Sequence, residues 1–194
     1  MRIVLMGPPG AGKGTQAKVI AGRLSIPAIS TGDIFRANVS AQTELGRTAK
    51  QYMDAGEYVP DEVTNAMVRD RLAEEDALRG FLLDGYPRTV DQVNQLDSML
   101  ADLGETLEAV VVLRVEPEEL VQRLVQRARI EGRDDDTEDV IRRRQEVYAE
   151  QTAPLLDTYA GRGMLVEVDG MGEVDEVTAR VFAALESTSD AAAG

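Results

Sequence analysis

Apolar runs and amphipathic stretches alternate along the chain. Ile3-Val4-Leu5-Met6 is a short continuous apolar run, predicted as a buried strand. Ala17, Ile20, Ala21 and Leu24 then fall at helical spacing, and Pro27-Ala28-Ile29-Ser30 is a candidate second strand. From Asp33 to Glu74 the pattern is mostly helical, with Asp33 and Asp61 placed to act as N-caps and Pro60 marking a break. Phe81-Leu82-Leu83-Asp84 predicts a third strand, followed by a helix through Val90, Val93, Leu96 and Leu100. Ala109-Val110-Val111-Val112-Leu113 is rich in β-branched residues and apolar on both faces, the signature of a strand buried on two sides. Glu116-Pro117-Glu118 opens a helix carrying Leu120, Leu124 and Val125, its acids lying at the positive end of the helix. A charged patch from Arg127 to Asp136 precedes a long helix to about Tyr159. Met164 to Val168 then predicts a fifth strand, and Val174 to Leu185 a last helix.

Five doubly buried runs, each followed by a helix, predict an α/β fold: a doubly wound five-stranded parallel sheet with helices on both faces. No internal repeat and no Pro/Ser linker interrupts it, so residues 1–186 are expected to form one domain. Residues 187–194, small and polar, are expected to be a disordered tail.

Composition narrows the chemistry. The 194 residues include no cysteine and no histidine, which excludes disulfides, thiolate metal sites, cysteine nucleophiles and imidazole bases. The apolar start is too short for a signal peptide and ends at Gly7-Pro8-Pro9-Gly10. No stretch approaches the ~20 apolar residues of a membrane span, so a cytoplasmic protein without a membrane partner is expected. A net charge of −14 argues against nucleic acid as partner, because counterion release needs a basic face. The bases themselves are skewed: three lysines, Lys13, Lys18 and Lys50, stand against eighteen arginines. Arginine is the planar, bidentate ligand for phosphate and carboxylate.

Gly7-Pro8-Pro9-Gly10-Ala11-Gly12-Lys13-Gly14-Thr15 lies between the first predicted strand and the first predicted helix. Glycines allow the backbone to wrap so that successive N–H groups point at phosphate oxygens. The helix N-terminus adds its partial positive charge, and Lys13 reaches for the β- and γ-phosphates. Gly10, Ala11, Gly12, Lys13, Gly14 and Thr15 are therefore the candidate phosphate cradle. The usual phosphate loop places Ser or Thr directly after the lysine to ligate Mg²⁺. Here Gly14 holds that position and Thr15 follows, which leaves direct hydroxyl ligation open. Asp84, at the end of an apolar strand, is the candidate second anchor for the metal, through waters and together with the substrate phosphates.

The string GPPGAGKGTQA, then Ser30-Thr31-Gly32-Asp33 with Arg36, then Asp84-Gly85-Tyr86-Pro87-Arg88-Thr89 with Gln92, resembles the adenylate kinases. The resemblance runs from Met1 to about Leu185. It implies a P-loop NTPase-type core that transfers a phosphoryl group reversibly from MgATP to AMP, giving two ADP. It also implies two mobile pieces: an AMP-binding insert at about 30–59 and a lid at about 126–136. Mg²⁺ is the implied cofactor. By the same resemblance, Arg36 and Arg88 hold the AMP phosphate, Arg127 meets ATP, and Arg133 and Arg144 close over the phosphates. Of the Arg142-Arg143-Arg144 triplet, Arg144 is the one selected, and the other two are expected to face solvent. Thr31, Gly32, Glu57, Tyr58, Val59, Gly85, Tyr86 and Pro87 complete the implied AMP site, with Gln92 reading the adenine edge. Gly172, in the loop after the last strand, is an implied contact to ATP, or else part of a plain turn.

Arg123 lies one helical turn from Arg127 and shares its face. It is read as a phosphate contact in catalysis or, equally, as a helix-surface ion pair. The charges fit the implied reaction: two strongly negative ligands need several cations converging from different elements, and phosphoryl transfer needs positioning more than covalent help. Only five residues separate Arg127 from Arg133, where long-lid relatives insert a small β-domain, so the resemblance implies a short lid, and the absence of cysteine agrees with a lid that carries no zinc. Segment 128–136 is expected to be mobile until phosphates order it. A monomer acting on ATP, AMP and ADP is expected. The alternatives are a UMP/CMP kinase of the same fold and a catalytically silent nucleotide-binding module. Thr31, Thr89 and Gln92 resemble the adenylate type.

Overall fold

The computed structural model describes residues 1–131 and 137–192. Arg133 and the rest of 132–136, the centre of the expected lid, lie outside the described residues, as do 193 and 194. Five strands form one parallel sheet: β1 (Arg2–Met6), β2 (Ala28–Ser30), β3 (Phe81–Asp84), β4 (Ala109–Arg114) and β5 (Leu165–Asp169), in the order β2-β3-β1-β4-β5. The register pairs Leu5 with Asp84 and with Val111, and Ser30 with Asp84, so the carboxyl ends of β1, β2 and β3 meet at one rim. In open parallel sheets that rim is where ligands bind.

Period-2 alternation sends successive side chains to opposite faces. On one face Val4, Met6, Leu83, Val110 and Val112 pack with Val68, Val93, Leu96, Leu155 and Tyr159. These last come from α4 (Asp61–Leu72), α5 (Val90–Asp102) and α8 (Leu155–Gly161). On the other face Ile3, Leu5, Val111 and Leu113 meet Ala17 and Ile20 of α1 (Lys13–Leu24), Leu120 of α6 (Pro117–Glu131), and Val177 and Val181 of α9 (Val174–Ala192). Only the three inner strands are buried on both sides. β5 is an edge strand that alternates, with Val166 and Val168 inward and Glu167 and Asp169 exposed.

The helical stretch after β2 is three helices: α2 (Thr31–Ser40), α3 (Glu44–Asp54) and α4. Its caps differ from expectation. Ser30, not Asp33, accepts from the Asp33 N–H at the start of α2, and Thr43 caps α3. Asp61 is the first residue of α4, behind Pro60, and its carboxylate is used elsewhere. Phe35, Ala49 and Val59 give this insert a small core of its own. The long helix expected to reach Tyr159 is broken: α7 (Glu138–Val147) passes into a π-helical turn at Tyr148–Thr152 before α8. Ala153 there donates to the Tyr148 carbonyl five residues back, at 2.9 Å, and Pro154, lacking an N–H, cannot resume the regular ladder. α9 continues past Leu185 to Ala192, across residues expected to be disordered. In these added turns Ser187 donates to the Ala183 carbonyl. Among the described residues no helix is long and apolar enough to cross a membrane.

Candidate active site

The loop after β1 turns three times through positive φ, at Gly7, Gly10 and Gly12. At Gly10 a side chain is excluded twice over: φ is +91°, and a Cβ would sit 2.8 Å from the Leu120 carbonyl oxygen. The loop ends on α1, whose N-cap is Gly12. No side chain caps its N–H groups, and no acid lies in its first turn. An uncapped helix start aimed into a cleft is an anion site. Lys13 Nζ donates to the carbonyls of Gly7 and Pro8, at 2.7 and 3.0 Å. Burial lowers its ammonium to about 8. Asp84 works in the opposite direction, and Arg88, Arg144 and Arg127 lower it further.

The cleft above the rim has a volume of about 1170 Å³. The whole predicted cradle lines it, from Gly10 to Thr15, with Asp84, Arg123, Arg127, Arg144 and Gly172. From the other side come Gly32, Arg36, Tyr58, Gly85, Tyr86, Pro87 and Arg88. A narrower recess of about 70 Å³ opens beside it, lined by Thr31, Gly32, Arg36, Glu57, Tyr58, Val59, Gly85, Arg88, Gln92 and Arg144. Gly32, Arg36, Tyr58, Gly85, Arg88 and Arg144 belong to both spaces. Every candidate within the described residues is thus brought to one place.

Arg88 is held from several sides. Its Nε donates to the Gly85 carbonyl at 2.7 Å, and its guanidinium lies 4.9 Å over the Tyr58 ring. Its carbonyl accepts from Thr152 Oγ1 at 2.9 Å, and that hydroxyl also shares a hydrogen bond with Tyr58 at 2.7 Å. Gly85, at φ +82°, is needed here, since a Cβ would lie 2.8 Å from both Arg88 Nη2 and Thr31 Oγ1. Thr31 donates to the Gly85 carbonyl, joining the ends of β2 and β3. Arg36 pairs with Asp33 at 2.6 Å. Arg123 makes the ion pair that is one of its two readings, with Glu119 at 2.9 Å, and it also lines the cleft, donating to the Gly170 carbonyl at 3.2 Å.

Several details depart from expectation. Gln92 does not stand free in the recess; it is 1% exposed, and both ends of its amide are engaged by the protein itself. Tyr86 turns its ring into the core and donates to Asn65 Oδ1, while its backbone neighbours serve the cleft. Arg142 faces solvent, paired with Glu138, but Arg143 does not simply do so. It reaches Glu57 of the insert at 2.6 Å, where Gly56 packs closely against α7. Three contributors were missed: Asp61, Thr152, and Gln145, whose Nε2 donates to the Pro9 carbonyl. Each acts on a partner at least 31 residues away, a distance at which no spacing rule gives a signal.

A metal would have to be shared with a ligand, because the described residues contain no cluster of three acidic side chains able to hold one. Asp84 fits that shared role. It is 9% exposed and lines the cleft, and its Oδ2 lies 3.8 Å from where a Cβ on Gly14 would be. The glycine therefore keeps space open between the carboxylate and the cradle.

Comparison with known proteins agrees with this geometry. The adenylate kinase family model matches residues 5–164. The adenylate kinase of Nocardioides sp. is 68% identical over 186 residues, covering 96% of this chain and 97% of that protein. Those of Thermobifida fusca and Kocuria rhizophila are each 61% identical, covering 96% and 95% of this chain and 99% and 98% of the relatives. With the family model spanning most of the chain and these relatives matching nearly end to end, the chain belongs to the adenylate kinase family.

Proposed function

We propose that this protein transfers a phosphoryl group reversibly from MgATP to AMP, giving two ADP. One observation carries the reading: an uncapped phosphate cradle and a second, arginine-lined recess lie side by side and share Arg88 and Arg144. Two anionic ligands seated there would face one another across shared cations.

In this reading Gly10 to Thr15 bind the ATP phosphates, with Lys13 leaving its loop carbonyls for the β- and γ-oxygens. Arg36 and Arg88 hold the AMP phosphate. An AMP phosphate oxygen attacks the γ-phosphorus, the bond from that phosphorus to the β–γ bridging oxygen breaks, and the electron pair leaves on the β-phosphate of ADP. The attacking oxygen carries no proton that a base must remove. A chain without histidine is therefore no handicap, and the protein's work is alignment and charge stabilisation. Lys13, Arg88, Arg123, Arg127 and Arg144, with Arg133 from the lid, supply that charge. Asp84, with Thr15 nearby, would hold Mg²⁺ through waters and the phosphates, and the ion would screen the phosphate charges during transfer.

Gln92 retains one amide hydrogen and one oxygen lone pair beyond those already used, which is what an adenine edge requires. A monomer and a cytoplasmic location are part of the proposal. The test is a coupled assay for ADP from ATP with AMP, CMP, UMP and GMP in turn. Strong preference for AMP is expected. Preference for UMP or CMP would assign a pyrimidine kinase, and no ADP with any acceptor would assign a silent nucleotide-binding module.

A further inference from the structure

The Gln92 side chain could offer its amide in either of two orientations, and they read different purines. Adenine presents an amino donor at its six position and an acceptor at N1. Hypoxanthine presents the reverse, a six-position oxygen and an N1–H donor. An amide whose oxygen and nitrogen exchanged places would exchange its preferred base.

Two neighbours decide which way round it sits. Gln92 Nε2 donates to Asp61 Oδ1 at 2.6 Å, and Gln92 Oε1 accepts from the Arg88 backbone N–H at 2.8 Å. A carboxylate only accepts, and a backbone N–H only donates. Turning the amide over would set oxygen against oxygen at Asp61 and nitrogen against nitrogen at Arg88. Because Gln92 is 1% exposed, water cannot relieve either clash. Asp61 is itself fixed: its Oδ2 accepts from Thr89 Oγ1 at 2.7 Å, and Thr89 in turn caps α5 by accepting from the Gln92 N–H at 3.2 Å. Its place at the start of α4 favours a negative side chain.

Resting on the adenylate kinase reading above, we infer that Asp61 is a specificity-determining positioning residue, locking the Gln92 amide in the orientation that accepts an adenine edge and refuses a hypoxanthine one. Asp61 need not touch the nucleotide. It acts through Gln92, on the discrimination between AMP and IMP and not on phosphoryl transfer.

Asp61→Asn tests this, since asparagine keeps the shape and can face the glutamine amide with either its oxygen or its nitrogen. With ATP saturating, kcat/KM is measured for AMP and for IMP in the native protein, in Asp61→Asn and in Asp61→Ala, each checked for a cooperative thermal transition. The AMP-to-IMP ratio is expected to fall at least about tenfold in Asp61→Asn, the scale of one charge-assisted hydrogen bond. KM for ATP should stay unchanged, and kcat/KM for IMP should rise in absolute terms. Asp61→Ala, which removes the acceptor without offering a donor, should lower the ratio less. Should only the alanine variant fold, a fall in its ratio supports the inference and a native ratio overturns it. A native-like ratio in folded Asp61→Asn overturns the inference while the function stands. A native protein that makes no ADP from AMP overturns the functional reading, and the inference with it.

Discussion

Lys13 sets chemistry against stability within one side chain. Folding takes its ammonium from an ordinary 10.5 to about 8, chiefly through burial. A folded-state value below the unfolded one means that the unfolded chain holds the proton more tightly between those two pH values. Native stability from this group therefore grows as pH rises from 8 to 10.5 and is missing below 8. The full span is worth about 3 kcal/mol. Denaturant midpoints should show the native protein gaining on Lys13→Met across that window, and a gap independent of pH would refute the shift. The same variant should lose at least ~10²-fold in kcat, the scale of one transition-state donor. In the native enzyme, kcat/KM for ATP should decline above about pH 8, because that ratio reports the free enzyme. Arg88→Lys should be severe although charge is kept. A lysine can neither form the planar fork on phosphate nor reproduce the Nε bond to Gly85, and a loss under about threefold would make Arg88 structural. Motif residues such as these were legible because spacing and residue type coincide. Asp61 and Thr152 were not, since their meaning lies in the partners that folding brings to them.

At the scale of elements, hydrophobic periodicity located every strand and most helices. What it could not show were the interruptions. The π-helical turn before Pro154 conceals Thr152 inside what reads as one long helix, yet that irregularity brings the threonine to Arg88. Likewise the cap of α2 fell to Ser30 as Asp33 turned to Arg36, and α4 starts without a side-chain cap as Asp61 turned to Gln92. The insert offers a sharper test of packing. Gly46 of α3 lies so close to α2 that a Cβ there would stand 2.0 Å from the Asn38 carbonyl oxygen. Gly46→Ala must push the two helices apart, at a cost of about 1–3 kcal/mol. Because α2 carries Arg36 and α3 does not reach the cradle, KM for AMP should rise while KM for ATP stays near its native value. Equal changes in both would show that the insert is not an independent unit.

Across the whole molecule, charge is sorted. The chain carries 35 acids against 21 bases, but seven bases and three acids line the large cleft. A local positive field inside a negative molecule draws in phosphates and repels its own kind. No histidine, cysteine or acidic triad is available among the described residues to bind a structural metal. EDTA should therefore abolish turnover and leave the melting temperature of the ligand-free protein in place; a large drop would expose a metal on which the fold depends. The sheet order has a consequence for synthesis. The first strand to leave the ribosome becomes the middle of the sheet, waiting for β3 and β4 to flank it. Beside it Gln16, 3% exposed, donates to the Val174 carbonyl and accepts from Thr178 Oγ1, 162 residues later. A chain that stops short of α9 strips that amide of both partners and uncovers the side of α1 that Val177 and Val181 cover, at the root of the helix that opens the cradle. The end of the chain thus steadies the helix that opens the cradle, and a chain truncated before Val174 is expected to bind nucleotide more weakly than the full one, as titration of the two would show.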